Sequence, residues 1–337
     1  MPDQKRLFLV DAYALIFRGY YAFIKNPRIN SKGLDTSAIL GFMNSLLDVI
    51  KRERPDYLAV CFDKGGSSDR NALFEDYKAN RDETPEAIKI AVPYIESILN
   101  AMHIPIVVKE GYEADDIIGT LSKQAEKKGF STFMVTPDKD FAQLVSDHIF
   151  MYRPVFGGGY ETWGIPEVQK KFEVQTPDQV IDFLGMMGDS ADNIPGLPGV
   201  GEKTAKKFIA QFGSLEGLLE NTDQLKGKMK EKVEANKDLG LLSKQLARII
   251  LDVPVKFDEE NFKFSNPDTE MVKSIFEELE FRRLIENFRK TFELQTTKTN
   301  EESLSNQPEI ELDKTAGSGQ FSLFDQNTNQ SNKKTPF

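Results

Sequence analysis

The chain has 337 residues, a formal net charge of −10, and 39% hydrophobic residues, enough apolar material for the cores of two ordinary domains. One cysteine and two histidines exclude an internal disulfide and a zinc site built from these residues. No apolar run reaches the roughly 18 residues of a membrane helix, so we expect a cytoplasmic protein. Any catalysis must rest on carboxylate, Lys, Arg, Tyr or Ser side chains.

Short β-rich runs alternate with helical periods through the first half of the chain. The predicted strands are LFLV (7–10), YLAVCF (57–62), IPIVV (104–108), TFMVT (132–136) and IFMY (149–152). This alternation is typical of an α/β fold with a parallel or mixed sheet flanked by helices. Thr-Pro pairs followed by an acid, at Thr84, Thr136 and Thr176, predict helix starts with Thr as the N-cap.

The second half of the chain has a different pattern. From about residue 177, helical segments joined by Gly and Pro turns run to about residue 290. We therefore predict an α/β domain over residues 1–176 and a smaller helical domain over 177–290. Residues 291–337 are rich in Thr, Ser, Asn, Gln and Glu, which predicts a disordered tail.

Acidic residues follow four of the predicted strands. In an open parallel sheet the ligand crevice lies outside the carboxyl ends of the strands, so these side chains should converge there. A further pair is spaced i, i+3 and could share one face of a helix. The nine acids are Asp11, Asp63, Glu113, Asp115, Asp116, Asp138, Asp140, Asp189 and Asp192.

Two interpretations of these acids are open. Each could lie in the first turn of a helix, where it faces water and the helix dipole. Alternatively the acids converge, and since two carboxylates about 4 Å apart repel by roughly 4 kcal/mol at an effective dielectric near 20, a cation must hold them together. All-oxygen ligands favour Mg²⁺ or Mn²⁺, and two such ions can activate water and stabilise the leaving oxygen of a phosphodiester. The placement after four separate strands favours the metal interpretation.

A basic segment, residues 64–85, is too long for an ordinary βα loop. Lys78 and Arg81 are spaced i, i+3, so on a helix both would project over the acids and neutralise a scissile phosphate. Tyr77 could stack on a base. The alternative is a solvated helix with salt bridges to neighbouring aspartates. Arg18 lies among aromatic residues, where it could contact a phosphate or cover apolar surface with its stem.

A Gly- and Pro-rich run, NIPGLPGVGEKTAKKFIAQFGS, occupies residues 193–214. It is not a Walker loop, because a glutamate separates the last glycine from the lysine and no strand precedes it. It predicts two helices joined by a tight glycine hairpin, whose backbone N–H groups and lysines can hold successive phosphates without reading bases. The alternative is a structural hairpin with a solvated lysine face. The residues involved are Gly199, Gly201, Lys203, Lys206 and Lys207.

Six motifs within residues 5–290 occur in the order and spacing of one known family. They are LVDAYALIFRGYYAF, FD, YKANRDETPE, GYEADDIIGTL, TPDKDFAQLVSD and GDSADNIPGLPGVGEKTA. The chain resembles the 5′ nuclease family, which includes phage 5′ nucleases, flap endonucleases and the N-terminal domain of bacterial DNA polymerase I. The segment KNPRINSKG (25–33) is similar to the Bacteroidetes form of that polymerase.

The resemblance implies a PIN-like α/β nuclease core with a helical arch at about 64–85, followed by a helix-hairpin-helix domain. It implies the nine acids as ligands of two or more Mg²⁺ or Mn²⁺ ions, with a K⁺ ion at the hairpin. Lys78 and Arg81 would act in catalysis together with Asp11, Asp63 and Asp138. Substrate DNA would be contacted by Arg18, Arg70, Tyr77 and the hairpin residues.

The implied function is a metal-dependent 5′-3′ exonuclease and structure-specific 5′-flap endonuclease. Its substrates would be DNA with 5′ flaps, nicks or 5′ ends, including RNA primer ends, in replication and repair. The chain would be a monomer, either a part of polymerase I or a stand-alone nuclease. A catalytically silent module that binds branched DNA is the alternative. A phosphatase is disfavoured because Asp11 is followed by Ala12 and Tyr13 rather than by the second acid of a D-x-D motif.

One further resemblance lies in the tail. QFSLF (320–324) is similar to the sliding-clamp-binding motif of bacterial replication proteins, with Gln320, Leu323 and Phe324 as its contacts. A short apolar motif in a disordered segment can serve as a recognition element. The alternative is an apolar patch without a partner.

Overall fold

A six-stranded sheet forms the centre of the computed structural model, which describes residues 4–155 and 157–292. The strands are β1 (Arg6–Asp11), β2 (Tyr57–Phe62), β3 (Ile106–Val108), β4 (Ser131–Val135), β5 (Ile149–Pro154) and β6 (Tyr160–Trp163). Their order is β3-β2-β1-β4-β5-β6. The neighbouring pairs among β1 to β5 are parallel, and β6 is antiparallel to β5. The five predicted strands are confirmed, whereas β6 was not predicted.

Helices flank the sheet and make up the second half of the described chain. They are α1 (Ala12–Phe23), α2 (Ser37–Glu53), α3 (Ser68–Leu73), α4 (Glu86–Ala101), α5 (Ala114–Glu126), α6 (Ile165–Phe172), α7 (Gln179–Met187), α8 (Glu202–Phe212), α9 (Leu215–Glu220), α10 (Gly227–Ala235), α11 (Lys237–Ala247), α12 (Glu259–Phe262) and α13 (Thr269–Glu278). Two 3-10 helices span Lys139–Leu144 and Thr222–Gln224. Residues 282–292 are also helical. None of the helices in this described part is long and apolar enough to cross a membrane.

Each central strand contributes to two hydrophobic cores, because successive side chains point to opposite faces of the sheet. Leu7 and Leu9 pack with α5 and α7 in the first core. Phe8 and Val10 pack with α1, α2 and α4 in the second core. The second core also receives α13 and residues 282–292, so the end of the described chain closes a face built from its beginning.

A segment without helix or strand, residues 248–257, runs along α5, and we call it the strap. Three polar side chains spaced four residues apart on α5 hydrogen-bond its backbone, since positions i, i+4 and i+8 lie on one helix face. The Asp116 carboxylate accepts from the N–H of Ile250, and Thr120 and Gln124 bond backbone groups further along. The strap therefore joins the helical half of the chain to α5.

The predicted helix starts are close, but the predicted caps are wrong. Helix α4 begins one residue after Pro85 without a side-chain cap. The 3-10 helix after β4 is capped by Asp138, which accepts the N–H of Asp140. Thr136 instead donates its hydroxyl to Asp11. The threonine is used to fix a strand-end acid rather than to cap a helix.

The predicted tail begins at residue 291, and its first two residues are helical and buried. The remainder, including QFSLF, lies outside the described residues.

We expect Gly41→Ala to destabilise the protein by about 1–3 kcal/mol. Helices α1 and α2 touch at glycines, and a Cβ on Gly41 would lie 2.3 Å from the Cα of Gly19. The gain in helix propensity, about 1 kcal/mol, does not offset displaced backbone. Urea unfolding measures the change, and Asn44→Ala, at an exposed position of α2, is the control. A Gly41→Ala protein as stable as the parent would show that the two helices separate without cost.

Candidate metal and nucleic-acid site

The nine predicted acids all lie at the carboxyl edge of the parallel strands or in loops that reach it. Asp11 is the last residue of β1, and Asp63 directly follows β2. Glu113 is the N-cap of α5 and Asp138 is the N-cap of the 3-10 helix after β4. Each of the nine acids either shifts the pKa of another of the nine or has its own pKa shifted by one, which places them in one electrostatic network.

Both interpretations of the acids are partly correct. Asp11 and Asp138 each accept a first-turn N–H, from Ala14 and Asp140, as helix-start acids do. Asp11 is nevertheless only 8% exposed and lies beside Asp63 and Asp138, which raise its pKa, so it lacks the water that the helix-start interpretation requires. This crowding of carboxylates favours the interpretation in which cations hold the acids together.

The protein supplies four of these acids with its own cations. Each of the four accepts a hydrogen bond from a lysine or arginine. The pairs are Glu113 with Lys78 and Arg70, Asp116 with Arg70, Asp189 with Lys139, and Asp192 with Arg81 and Lys78. For Asp192 burial acts to raise the pKa, but the charges of Lys78 and Arg81 outweigh it and lower the pKa.

The other five acids accept no hydrogen bond from a lysine or arginine among the described residues. We call them the open acids: Asp11, Asp63, Asp115, Asp138 and Asp140. Burial is the largest cause that raises the pKa of each one. For Asp11, burial and the neighbouring Asp63 raise the pKa to about 7. For Asp115 and Asp140 the pKa lies well above its ordinary value, with Asp116 and Asp138 as the second cause.

The open acids fit a divalent cation. The Oδ1 atom of Asp140 is buried and has no hydrogen-bond partner, and the nearest lysine nitrogen, that of Lys139, is 3.7 Å away. Oxygen atoms of the open acid Asp115 and of its neighbours Glu113 and Asp116 lie within 4.8 Å of one another, so carboxylates are crowded at this end of the sheet. A set of carboxylate oxygens without Cys or His suits a hard ion such as Mg²⁺ or Mn²⁺.

The expectation that Arg70 and Tyr77 contact DNA is corrected by their burial. Arg70 is 3% exposed and Tyr77 is 5% exposed. The Tyr77 hydroxyl bonds Glu113 and Asp192, and its ring lies 5.0 Å from the Lys78 nitrogen. Both side chains face the acids and are unavailable to a base or a phosphate.

Two helical spacings predicted at the site are also wrong. Residues 75–80 form turns, and Lys78 has a left-handed backbone with φ of 58°. Lys78 and Arg81 still reach one carboxylate, Asp192, because the turn rather than a helix directs them. Asp189 also lies in a turn, closed by its backbone bonds to Ile194.

The glycine run forms a turn between α7 and α8. Gly188 and Gly196, both with positive φ, pack so closely that a Cβ on either would fall within 2.5 Å of the other strand of the turn. Gly199 also has positive φ, and Gly201 caps α8. The three predicted lysines differ in their surroundings. Lys203 and Lys207 are exposed, whereas Lys206 pairs with Glu173 and Glu202.

Arg18 lies apart from the acids. Its guanidinium donates to the carbonyl of Val155 and contacts the Ser45 hydroxyl at 3.5 Å. It lines a polar cavity of about 320 Å³ together with Tyr160 and Gly159. The guanidinium is thus held at a surface depression by backbone and hydroxyl oxygens.

Lys139 is a site residue that the sequence interpretation missed. Its amine bonds Asp189, burial acts to lower its pKa, and the surrounding acids, led by Asp140, raise it instead. The signal was available, since Lys139 stands between two aspartates in a motif directly after a strand.

Sequence comparison decides the family. Residues 6–180 match the N-terminal resolvase-like domain of the 5′-3′ exonucleases, and residues 175–270 match their C-terminal SAM fold. The chain belongs to the 5′-3′ exonuclease family. The expected resemblance to the 5′ nucleases and the mixed α/β sheet with a helical second part are confirmed.

The relatives of this 5′-3′ exonuclease family member differ in length. It is 36% identical to the 5′-3′ exonuclease of Aquifex aeolicus over 289 residues, which are 86% of this chain and 97% of that protein. It is 41% identical to DNA polymerase I of Bacillus subtilis over 288 residues, which are 85% of this chain and 32% of the polymerase. The chain thus spans about a third of the length of its polymerase relatives.

Solved structures share the fold of this family member. The T5 5′-exonuclease with bound zinc has a TM-score of 0.61 at 21% identity, covering 81% of this chain and 99% of that one. The catalytic core of Rad2 with a DNA substrate has a TM-score of 0.58 at 17% identity, covering 82% and 88%. At these identities the likeness concerns the fold.

We expect the metal-free protein to lose stability as the pH rises from about 4 to about 7. Asp11 in the folded chain keeps its proton to about pH 7, whereas an unfolded aspartate loses it near pH 4, so the folded state binds the extra proton in this window. Above it, Mg²⁺ should raise Tm more than it does at about pH 5, since protons no longer compete for the carboxylates.

Thermal unfolding with EDTA and with Mg²⁺ tests this expectation. Asp11→Asn should flatten the decrease of Tm with pH. Asp147→Asn is the control, because Asp147 is exposed and precedes β5, at the opposite edge of the sheet. A metal-free Tm that increases from pH 5 to pH 8 would contradict the assignment.

Proposed function

We propose that this chain is a metal-dependent 5′-3′ exonuclease and structure-specific 5′-flap endonuclease that hydrolyses DNA phosphodiesters. Its substrates would be 5′ flaps, nicks and 5′ ends, including the ends of RNA primers, in replication and repair. The observation that carries the proposal is the set of five open acids with raised pKa values at the strand ends of a 5′-3′ exonuclease family member.

Two or more Mg²⁺ or Mn²⁺ ions are the cofactors we propose, held first by the open acids. When bound, such ions activate water and neutralise charge on a phosphodiester. Desolvation and neighbouring carboxylates raise the pKa values of the open acids, which makes five charged carboxylates costly without a cation. The other four acids, which are held in place by lysine and arginine partners, would complete the site.

Lys78 and Arg81 are proposed to contact the scissile phosphate when DNA is bound. Both reach Asp192 in the DNA-free protein, so they lie at the rim of the acid network. The Lys78 amine is only 2.6 Å from Glu113, which keeps the cation beside the metal site. A fixed cation next to developing negative charge stabilises the transition state more than the bound substrate.

The helical part is proposed to hold duplex DNA. Exposed Lys203 and Lys207 follow a glycine turn at the start of α8, and the first N–H groups of a helix have no intrahelical acceptor. This arrangement suits phosphates and carries no base readout. A K⁺ ion at the turn of Gly199 and Gly201 is part of the proposal. Arg18, held at its surface depression, would contact a further phosphate.

The remaining expectations stay proposals. They are the nuclease core at 1–176 with the arch segment at 64–85, the helical domain at 177–290, the tail at 291–337 with Gln320, Leu323 and Phe324 as clamp contacts, a monomer in the cytoplasm, and a place within DNA polymerase I. For clamp binding, a peptide of residues 316–328 that fails to bind the clamp in a titration would remove the proposal.

The test of the function is cleavage of a labelled 5′-flap duplex. We expect cutting near the flap junction with Mg²⁺, none with EDTA, and a loss of more than about 100-fold in Asp138→Asn, because a ligand is removed. Asp147→Asn, at the opposite edge of the sheet, should cleave like the parent. Tight flap binding without cleavage in Mg²⁺ or Mn²⁺ would instead favour the silent binding module.

Lys78→Ala and Lys203→Ala separate rate from affinity. We expect Lys78→Ala to lower the single-turnover rate by about 10- to 100-fold with little change in flap affinity, since Lys78 faces the acid network. Lys203→Ala should weaken binding and reduce its salt dependence, with nearly the parent rate at saturation. If Lys78→Ala weakened binding and left single-turnover cleavage unchanged, its role would be contradicted.

A further inference from the structure

The guanidinium of Arg70 is buried and has every nitrogen engaged in hydrogen bonds, which its proposed neighbours at the site do not explain. All three nitrogens of Arg70 donate hydrogen bonds, and the side chain is 4% exposed. Two bonds of 2.8 Å go to the two oxygens of Asp116, and one of 3.1 Å goes to Glu113. The others go to Ser67 and to two backbone carbonyls, those of Leu246 and Arg248.

The partner carboxylate is occupied as well. Asp116 is fully buried, and each of its oxygens accepts from Arg70 and from one backbone N–H. The N–H of Ile250 is 2.8 Å from Oδ1, and that of Glu113 is 3.3 Å from Oδ2. With these four bonds made, Asp116 has little capacity left for a metal ion.

These bonds connect three parts of the chain. Arg70 is in α3, at the start of the basic segment, and Asp116 is in the first turn of α5. The carbonyls of Leu246 and Arg248 and the N–H of Ile250 belong to the end of α11 and the strap. The other strap bonds, at Thr120 and Gln124, lie progressively farther from the site along α5.

We propose that Arg70 is a positioning residue that locks the strap onto the start of α5 and thereby orients the metal-site acids Glu113 and Asp115. Asp116 is its buried counter-charge rather than a metal ligand. The proposal rests on the proposed nuclease function for its activity readout. It also assigns the helical half of the chain a direct mechanical connection to the site, since the strap continues from α11.

Electrostatics supports a lock rather than a metal site at Asp116. A buried carboxylate that has lost its cation is strongly unfavourable, whereas removing both members of the pair leaves no buried charge. The pair should therefore be coupled. If Asp116 were a metal ligand and Arg70 acted independently of it, the losses of activity in the two single variants would instead multiply in the double variant.

The experiment is a double-mutant cycle with Arg70→Met, Asp116→Asn and the double variant. Single-turnover cleavage of the flap duplex is followed over a series of Mg²⁺ concentrations, below the Tm of every variant. We expect Arg70→Met to raise the half-saturating Mg²⁺ concentration by about 10- to 100-fold, as loss of a residue that orients ligands does. The double variant should recover about tenfold relative to Arg70→Met.

Three outcomes would overturn the proposal. If the losses of the two single variants multiplied in the double variant, Asp116 would be a metal ligand after all. A lower Tm with an unchanged Mg²⁺ dependence would leave Arg70 with a purely structural role. Should Arg70→Met fail to fold, Arg70→Lys is the second variant; it keeps one cation but cannot reach both carboxylate oxygens and both carbonyls, and the parent Mg²⁺ dependence in it would contradict the lock.

A surface pair provides the matched control. Arg52 also bonds both oxygens of one carboxylate, Asp48, at 2.8 Å, but the pair is exposed on α2. Arg52→Met, Asp48→Asn and their double variant should match the parent in Tm and Mg²⁺ dependence.

Failure of the proposed function is distinguishable from failure of this inference. A parent protein that binds Mn²⁺ without cleaving DNA would remove the nuclease function alone. In that case the same cycle is measured by Mn²⁺ titration calorimetry. Recovery of Mn²⁺ affinity in the double variant would still support the lock, and multiplied losses would still overturn it.

Discussion

Repulsion among carboxylates is the constraint on which the other features of this structure depend. A parallel sheet brings its strand ends to one edge, and this chain places nine acids there. The chain meets the constraint in two ways. Four acids receive lysine or arginine partners. The five open acids have raised pKa values, and a proton or a metal ion would relieve the repulsion among them. The hydrogen-bond pattern thus separates the acids that the protein neutralises itself from those left for a proton or a metal ion.

The same division connects the two halves of the molecule. The cations that neutralise acids come from the basic segment and the 3-10 helix, and their partners in the 189–192 turn come from the helical half. Arg70 extends this connection to the strap. Placement of the acidic residues therefore depends on contacts made far along the chain, and not on the sheet alone.

The sequence predicts the parts of this site that depend on local pattern. Strand periodicity and chain order were enough to place the acids at one edge, because parallel strands share an orientation. They could not reveal which acids are open, since the partners of Asp116 include backbone groups more than 100 residues away. The turn at Lys78 could not be predicted either, because no residue pattern marks a lysine whose backbone φ is positive. Arg70 was misassigned because burial of a charge is decided by tertiary packing.

The C-terminal end of the described chain has a consequence for biosynthesis. Residues 272–292 lie beyond both matched family regions, yet Val272, Phe276 and Phe288 complete the second core with strands made near the N-terminus. The strands, the acidic residues and the strap are all synthesised before residues 272–292, so the second core stays incomplete until these residues have been made. Until residue 292 is released, one face of the sheet is protected by α1, α2 and α4 alone. Residues 272–292 therefore complete the packing of a face that the earlier helices cover only in part.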